Sequence, residues 1–353
     1  MKLENFKKEF NKILADWVYQ AAKRCKIILH DDDLSAYITQ AEALINRDGK
    51  RIRPYLMALT YSAYGGLMTG DIHRIGIILE LFHNFALMHD DIVDRGTDRN
   101  GIITLHRHIK KEIERRGGVG DIKHVAEGQT IFVGDLILIW ANRLWDELET
   151  FPPERIRVAR HLFNQMAEEA ILGQIIDIDM MARETANMEL IRQKMRLKTA
   201  SYTFVRPMQI GASLVGSDPA MLTFAEKFGT PLGMAFQIQD DLFDLILALN
   251  EKHKTALSDL RTHQQNIFTQ FIFDNGTSEH KAELLALLGS DVTEAERPRI
   301  LDLFTSSGAL NYGIEQMNMY FKEALLVLET SKLPEKYQSE LRELVMAIRN
   351  RKS

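Results

Sequence analysis

The stretch "HNFALMHDDIVDRGTDRNG" (His83–Gly101) sets an acidic tip on a greasy run: Asp90, Asp91 and Asp94 follow Phe82, Phe85, Ala86, Leu87 and Met88. On a helix, residues four apart share a face. Asp90 and Asp94 therefore point the same way, with Asp91 about 100° around on the flank. The spacing returns in "GMAFQIQDDLFDLILAL" (Gly233–Leu249) as Asp240, Asp241 and Asp244. Like charges so placed repel, so each cluster needs a compensating cation. One such cluster reads as a solvated turn. Two of the same spacing, each on an apolar helix, predict carboxylate ends that face each other across a cavity and hold hard divalent cations. Magnesium suits that arrangement, since it takes oxygen ligands, keeps several waters and is completed by substrate phosphates. No His/Cys grouping has zinc-type spacing.

The rest of the chain reads as helix. Only 8 prolines occur in 353 residues, Leu, Ala, Met, Glu, Lys and Arg are abundant, and no segment alternates with period two. Helical patterns cover about 3–20, 34–46, 51–65, 71–94, 125–147, 153–182, 187–215, 218–248, 261–274, 280–288, 294–305, 308–331 and 334–350. Breakers such as "YGGLMTG", "RRGGVGD", "FPPE" and "GSDP" separate them. The expectation is one all-α domain, 1–353, with a buried central bundle. "RRGGVG" (Arg115–Gly120) follows no strand and lacks the Gly-Lys-Ser/Thr ending of a phosphate loop, so it reads as a connection. A net charge of −5 gives no reason to expect nucleic acid. A single cysteine, Cys25, fits a reducing compartment, and the longest apolar run is too short to span a bilayer. A soluble cytoplasmic protein without a transmembrane segment is expected.

A metal-held phosphate also needs basic side chains. "GKRIRP" (Gly49–Pro54) offers Lys50, Arg51 and Arg53, and "RLKTASYTFVRP" (Arg196–Pro207) offers Arg196, Lys198 and Arg206 beside the hydroxyl of Thr199. Arg95 and Arg99 follow the first acidic cluster, and Lys252 and Lys254 the second. His83 lies two turns before Asp90, and Gln237 lies three residues before Asp240. Gln174 and Asp177, in "ILGQIIDIDM", are polar interruptions of a third helix. Each of these polar residues alone could be a satisfied core hydrogen-bonder.

Taken in order, "GKRIRP", "HNFALMHDDIVD", "GQIID", "KTASYTF" and "FQIQDDLFD" resemble the trans-isoprenyl diphosphate synthases over roughly residues 45–262. The resemblance implies an all-α bundle of the isoprenoid-synthase type with a central apolar cavity, a homodimer, and Mg2+ as cofactor, three ions per site. It implies that Asp90, Asp94 and Asp240 ligate magnesium, assisted by Asp91, Asp241 and Asp244. Arg99, Lys198 and Lys254 would hold the allylic diphosphate, and Lys50, Arg53 and His83 the isopentenyl diphosphate. Thr199 and Gln237 would line the carbocation site, supported by Gln174 and Asp177. The implied activity is a prenyl transfer: the allylic C–O bond ionises, the isopentenyl double bond attacks, and water is kept out. Phe85, five residues before Asp90, would floor the pocket and limit products to C15–C20.

Two departures matter. The family usually reads Arg-Arg-Gly where this chain has Arg99-Asn100-Gly101, and often Gly-Lys where it has His263-Gln264. Losing one ionic phosphate contact is worth about 1.5–3 kcal/mol, which weakens the expected isopentenyl half of the site. The alternative is therefore a terpene-synthase-like enzyme that ionises an allylic diphosphate without condensation. A phosphohydrolase built on His89-Asp90 would leave Asp240–Asp244 unexplained. A non-catalytic subunit would have no need of complete carboxylate clusters.

Overall fold

The computed structural model describes residues 2–99, 101–216, 218–247 and 257–351. Asn100, Lys252 and Lys254 lie outside the described residues. The chain divides into two compact units, Met1–Arg160 and His161–Ser353.

The first unit contains α1 (Leu3–Leu29), α2 (Asp32–Asn46), α3 (Ile52–Ala63), α4 (Gly70–Val93), α5 (Leu105–Arg115) and α6 (Ile122–Trp145). Side-chain caps start two of them: Asp31 accepts from the Leu34 N–H at 2.8 Å, and Asp121 from the His124 N–H at 3.1 Å. Helix α4 is buried nearly all round, through Ile72, Ile75, Ile77, Ile78, Leu79, Leu81 and Phe82, as befits a central helix. It packs on α3 and α6. A methyl added at Gly76 would stand 2.8 Å from the Phe10 ring and 3.0 Å from Pro54 Cβ, so this glycine lets α4 approach its neighbours closely.

The second unit contains most of α7 (Pro153–Met181), then α8 (Met188–Lys194), a π-helical segment (Met195–Val205) and α9 (Arg206–Ser213). It continues with α10 (Pro219–Ile246), α11 (Ser258–Arg261), α12 (Ile267–Asn275), α13 (Ser278–Leu287), α14 (Arg297–Ser306), α15 (Ala309–Glu329) and α16 (Glu335–Arg349). Helix α10 packs against the π segment and α15. Gly233 makes this possible: a methyl there would fall 2.2 Å from Ala200 Cα. The core continues through Met234, Ile238, Leu242, Phe268, Ile272 and Phe304.

Three expectations are corrected. A two-residue antiparallel ladder pairs Asp98 with Ile103 and Arg99 with Ile102, where no strand was expected. Residues 105–115 form α5, whose Leu105, Ile109 and Ile113 are buried at intervals of four. The helix expected over 187–215 is interrupted by the π segment. Among the described residues, no helix is long and apolar enough to cross a membrane.

Candidate active site

In the first unit, the acidic cluster forms the last turn of α4. Asp94 is its C-cap, and the Asp94 N–H donates to the Asp90 carbonyl at 2.8 Å. Both side chains are half-buried, whereas Asp91 is buried. Asp91 accepts from Arg99 Nε at 3.0 Å and from Nη2 at 2.5 Å. Burial raises the Asp91 carboxyl above its ordinary value, against the opposing charges of Arg99 and Arg47. Arg99 lies five residues beyond the C-cap Asp94, at the end of the first strand of the short ladder.

Around His83 the field is positive. Burial lowers the imidazole well below its usual range, and the charges of Arg53, Arg47, Arg99 and Arg51 act in the same direction. The ring is thus neutral in a group of guanidiniums. Arg51 is committed to the fold: it is buried, pairs with Glu80 at 2.6 Å and donates to Asn11 at 2.8 Å. Arg47, which sequence reasoning missed, donates to Asn84 Oδ1 at 2.6 Å and to the Leu44 carbonyl. Burial and then the charge of Arg99 bring Arg47 down to about 10. Its signal was its place three residues ahead of Lys50. Lys50 is exposed and Arg53 half-buried. Phe85 is buried, 5.5 Å from the Phe82 ring and 4.6 Å from the His89 ring. His89 faces α6, 3.2 Å from the Ile131 carbonyl and 3.6 Å from Asp135, which gives the His-Asp hydrolase reading no support.

In the second unit, the sequence-predicted residues meet in two chains of contact. The Thr199 hydroxyl donates to Gln237 Oε1 at 2.5 Å, and Gln237 Nε2 donates to Asp241 Oδ1 at 2.7 Å. Lys198 and Lys194 both donate to Asp177, at 2.7 and 2.9 Å. Burial opposes ionisation of Asp177, but the two ammonium groups outweigh it and hold the carboxyl at about 2. Gly173 on α7 lets the Lys198 backbone come close, since a methyl there would lie 2.6 Å from the Lys198 backbone nitrogen. Lys194 also donates to the Gln265 carbonyl at 2.8 Å. Its signal was the four-residue interval to Lys198.

The second cluster is crowded with acid. Asp244 accepts from the Ser258 N–H at 2.9 Å, the Ser258 hydroxyl at 2.8 Å and the Asp259 N–H at 3.1 Å. Burial, followed by the charge of Asp259, pushes Asp244 up to about 7. Burial and Asp259 also push Asp241 well above the usual carboxylate range. Asp259, another residue missed from sequence, is itself raised, chiefly by burial. Asp240 pairs with Arg351 at 2.6 Å, and the same guanidinium lies 4.3 Å over the Phe236 ring. His263 holds a φ of 58°, the left-handed region that glycine favours, so the backbone bend at His263-Gln264 persists without glycine.

Among the described residues, no three His, Cys, Asp or Glu side chains converge as a ready-made metal cage. The donor chemistry still fits magnesium, which needs only a few carboxylates when substrate oxygens and waters complete it. Asp241 Oδ2, buried and without a partner among the described residues, and the raised Asp241 and Asp244 are groups that a divalent cation would relieve.

An all-α fold with these acidic helix ends and their lysine and arginine companions defines an enzyme of the isoprenoid-synthase type. The chain belongs to the polyprenyl synthetase family, whose model matches residues 35–302. It is 27% identical to the geranylgeranyl diphosphate synthase of Sulfolobus acidocaldarius, over 80% of each chain. It is 26% identical to a short chain isoprenyl diphosphate synthase of Methanothermobacter thermautotrophicus, over 90% of this chain and 93% of that one. Its fold matches that of a Corynebacterium glutamicum geranylgeranyl pyrophosphate synthase complexed with isoprenyl diphosphate and magnesium. The TM-score is 0.89 at 24% identity, covering 98% of this chain and 99% of the other.

Proposed function

We propose that this prenyltransferase condenses isopentenyl diphosphate with an allylic diphosphate and releases a C15–C20 product, with residues 1–353 working as one catalytic domain. The observation that carries elongation is the group of guanidiniums around neutral His83 in the first unit. A reaction that takes two diphosphates needs a second cationic site beside the carboxylates, and ionisation alone does not. Arg53, Lys50 and His83 hold isopentenyl diphosphate, and Arg47 supplies charge where Asn100 cannot.

Asp90, Asp94 and Asp240 hold magnesium, assisted by Asp91, Asp241 and Asp244, with three ions per site. Magnesium would neutralise charge on the departing diphosphate. Lys198, Arg99 and Lys254 grip that diphosphate, and Asp177 holds Lys198 in position. The Thr199 hydroxyl and Gln237 amide direct their oxygens at the allylic cation as the isopentenyl double bond attacks. Phe85 stops the growing tail. The Phe85→Ala variant should shift products beyond C20, measured by mass spectrometry of the extracted diphosphates.

A homodimer is part of this reading. In the first unit α6 exposes Phe132 (74%) and Ile139 (61%), and in the second unit α7 exposes Ile171, Leu172, Ile175 and Ile178. Apolar rows of this kind suit a self-complementary interface. Light scattering on the purified chain should return twice the mass of one chain. The cytoplasm is the proposed location, in line with the single Cys25.

The deciding experiment supplies C5, C10 and C15 allylic diphosphates with magnesium, with and without labelled isopentenyl diphosphate. Label in a longer diphosphate is expected. Product formed from the allylic substrate alone would overturn the elongation reading.

A further inference from the structure

The first unit carries a second concave site made of residues that prenyl transfer leaves unassigned. Arg95, His106, Arg107, Lys110, Lys123 and Glu127 line a cavity of about 60 Å³, well above the ~10–15 Å³ that one water needs. Four permanent cations thus share a wall with one carboxylate. The fold makes little use of them. Lys110 lies 3.6 Å from Glu114 and Lys123 lies 3.7 Å from Glu127, both long surface pairs one helical turn apart.

Among the described residues, two buried donors or acceptors in this wall have no partner: Nδ1 of His106, a residue only 6% exposed, and Nε of Arg107. Burial lowers the His106 imidazole, and the charges of Arg107 and Lys123 lower it further, so the ring leaves the cationic wall without adding to it. Arg95 reaches the wall from a left-handed backbone, φ 54°, which a side chain adopts at a cost. Like charges drawn around one hollow repel, and an anion in the hollow reverses that repulsion. Guanidinium forks and ammonium groups together match the oxygens of a phosphoryl group.

We propose that this cavity binds a phosphoryl oxyanion, at a site separate from the prenyl-transfer centre. The ligand is either a free inorganic diphosphate or a phospholipid headgroup, which share this chemistry.

The test uses the full chain in EDTA, which removes metal-dependent binding at the carboxylates. In a Lys50→Ala/Arg53→Ala background, sodium diphosphate is titrated by calorimetry. One diphosphate per chain is expected, weakened at least ten-fold by adding Lys110→Ala/Lys123→Ala, one on a half-buried and one on an exposed lysine. Those two substitutions alone should leave kcat of prenyl transfer unchanged in the otherwise intact enzyme. Phosphatidylglycerol vesicles form a second arm. Co-sedimentation that is lost in Lys110→Ala/Lys123→Ala identifies a headgroup as the ligand, and diphosphate binding without co-sedimentation identifies the free anion. Identical titrations with and without the two substitutions, together with no vesicle binding, overturn the proposal. The readout is binding, so it stands or falls independently of turnover.

Discussion

Asp90–Asp94 and Asp240–Asp244 have the same spacing but opposite electrostatic surroundings. The first cluster ends α4 with Asp91 paired to Arg99 and within the field of Arg47. The second lies among further carboxylates, with Asp259 raising both Asp241 and Asp244. A motif read as a repeat is thus two different devices. One already carries its own cation, Arg99 on Asp91, and in the proposed reading it offers Asp90 and Asp94 to magnesium. The other gathers buried carboxylates, Asp241 and Asp244, that are held toward their protonated form, beside an Asp240 paired with Arg351.

The strongest way to break this contrast is to remove one proposed ligand from each cluster. Asp90→Asn and Asp240→Asn should each lower kcat/KM by about a thousand-fold, roughly 4 kcal/mol. Steady-state kinetics checks this, and a large loss in only one of them would separate the clusters functionally.

Next in size is the buried lysine. Lys194→Met leaves Asp177 buried with only Lys198, so unfolding in urea should show a loss of about 3–5 kcal/mol. Lys198 is half-buried, so Lys198→Met should cost less stability and more activity.

Acidity sharpens the comparison further. Asp244 sits at about 7 in the fold, above its ordinary value, so its contribution is present at low pH and is lost as pH rises through about 7. Asp177 has the opposite sign: its contribution is present above pH 4 and is lost as pH falls through about 2. In metal-free buffer, the melting temperature of Asp244→Asn should therefore gain on that of the unmodified chain between pH 5 and 8. Parallel curves would mean that Asp244 is not held in its protonated form.

The smallest expected effect is at Arg47. Arg47→Ala should raise KM for isopentenyl diphosphate about ten-fold, near 1.4 kcal/mol, with kcat little changed. An increase in KM for the allylic substrate instead would move Arg47 to the other half of the reaction.

The sequence by itself determined the helical class, most helix positions, and the paired spacing of the two aspartate clusters. Apolar periodicity and breakers are local signals, and Asp residues four apart declare a shared face wherever the helix lies. It missed α5, although Leu105, Ile109 and Ile113 recur every four residues among charged ones, as on an amphipathic helix. Nor did it reveal the π segment, which Gly173 and Gly233 approach closely at Lys198 and Ala200.

Only the tertiary structure decided which charges meet. Arg51 looked like a phosphate ligand and turned out to be the buried partner of Glu80, while Arg47, Lys194 and Asp259 came in from positions that no motif marked. The physical reason is that ionic roles depend on distance and burial, and packing sets both across tens of residues of chain.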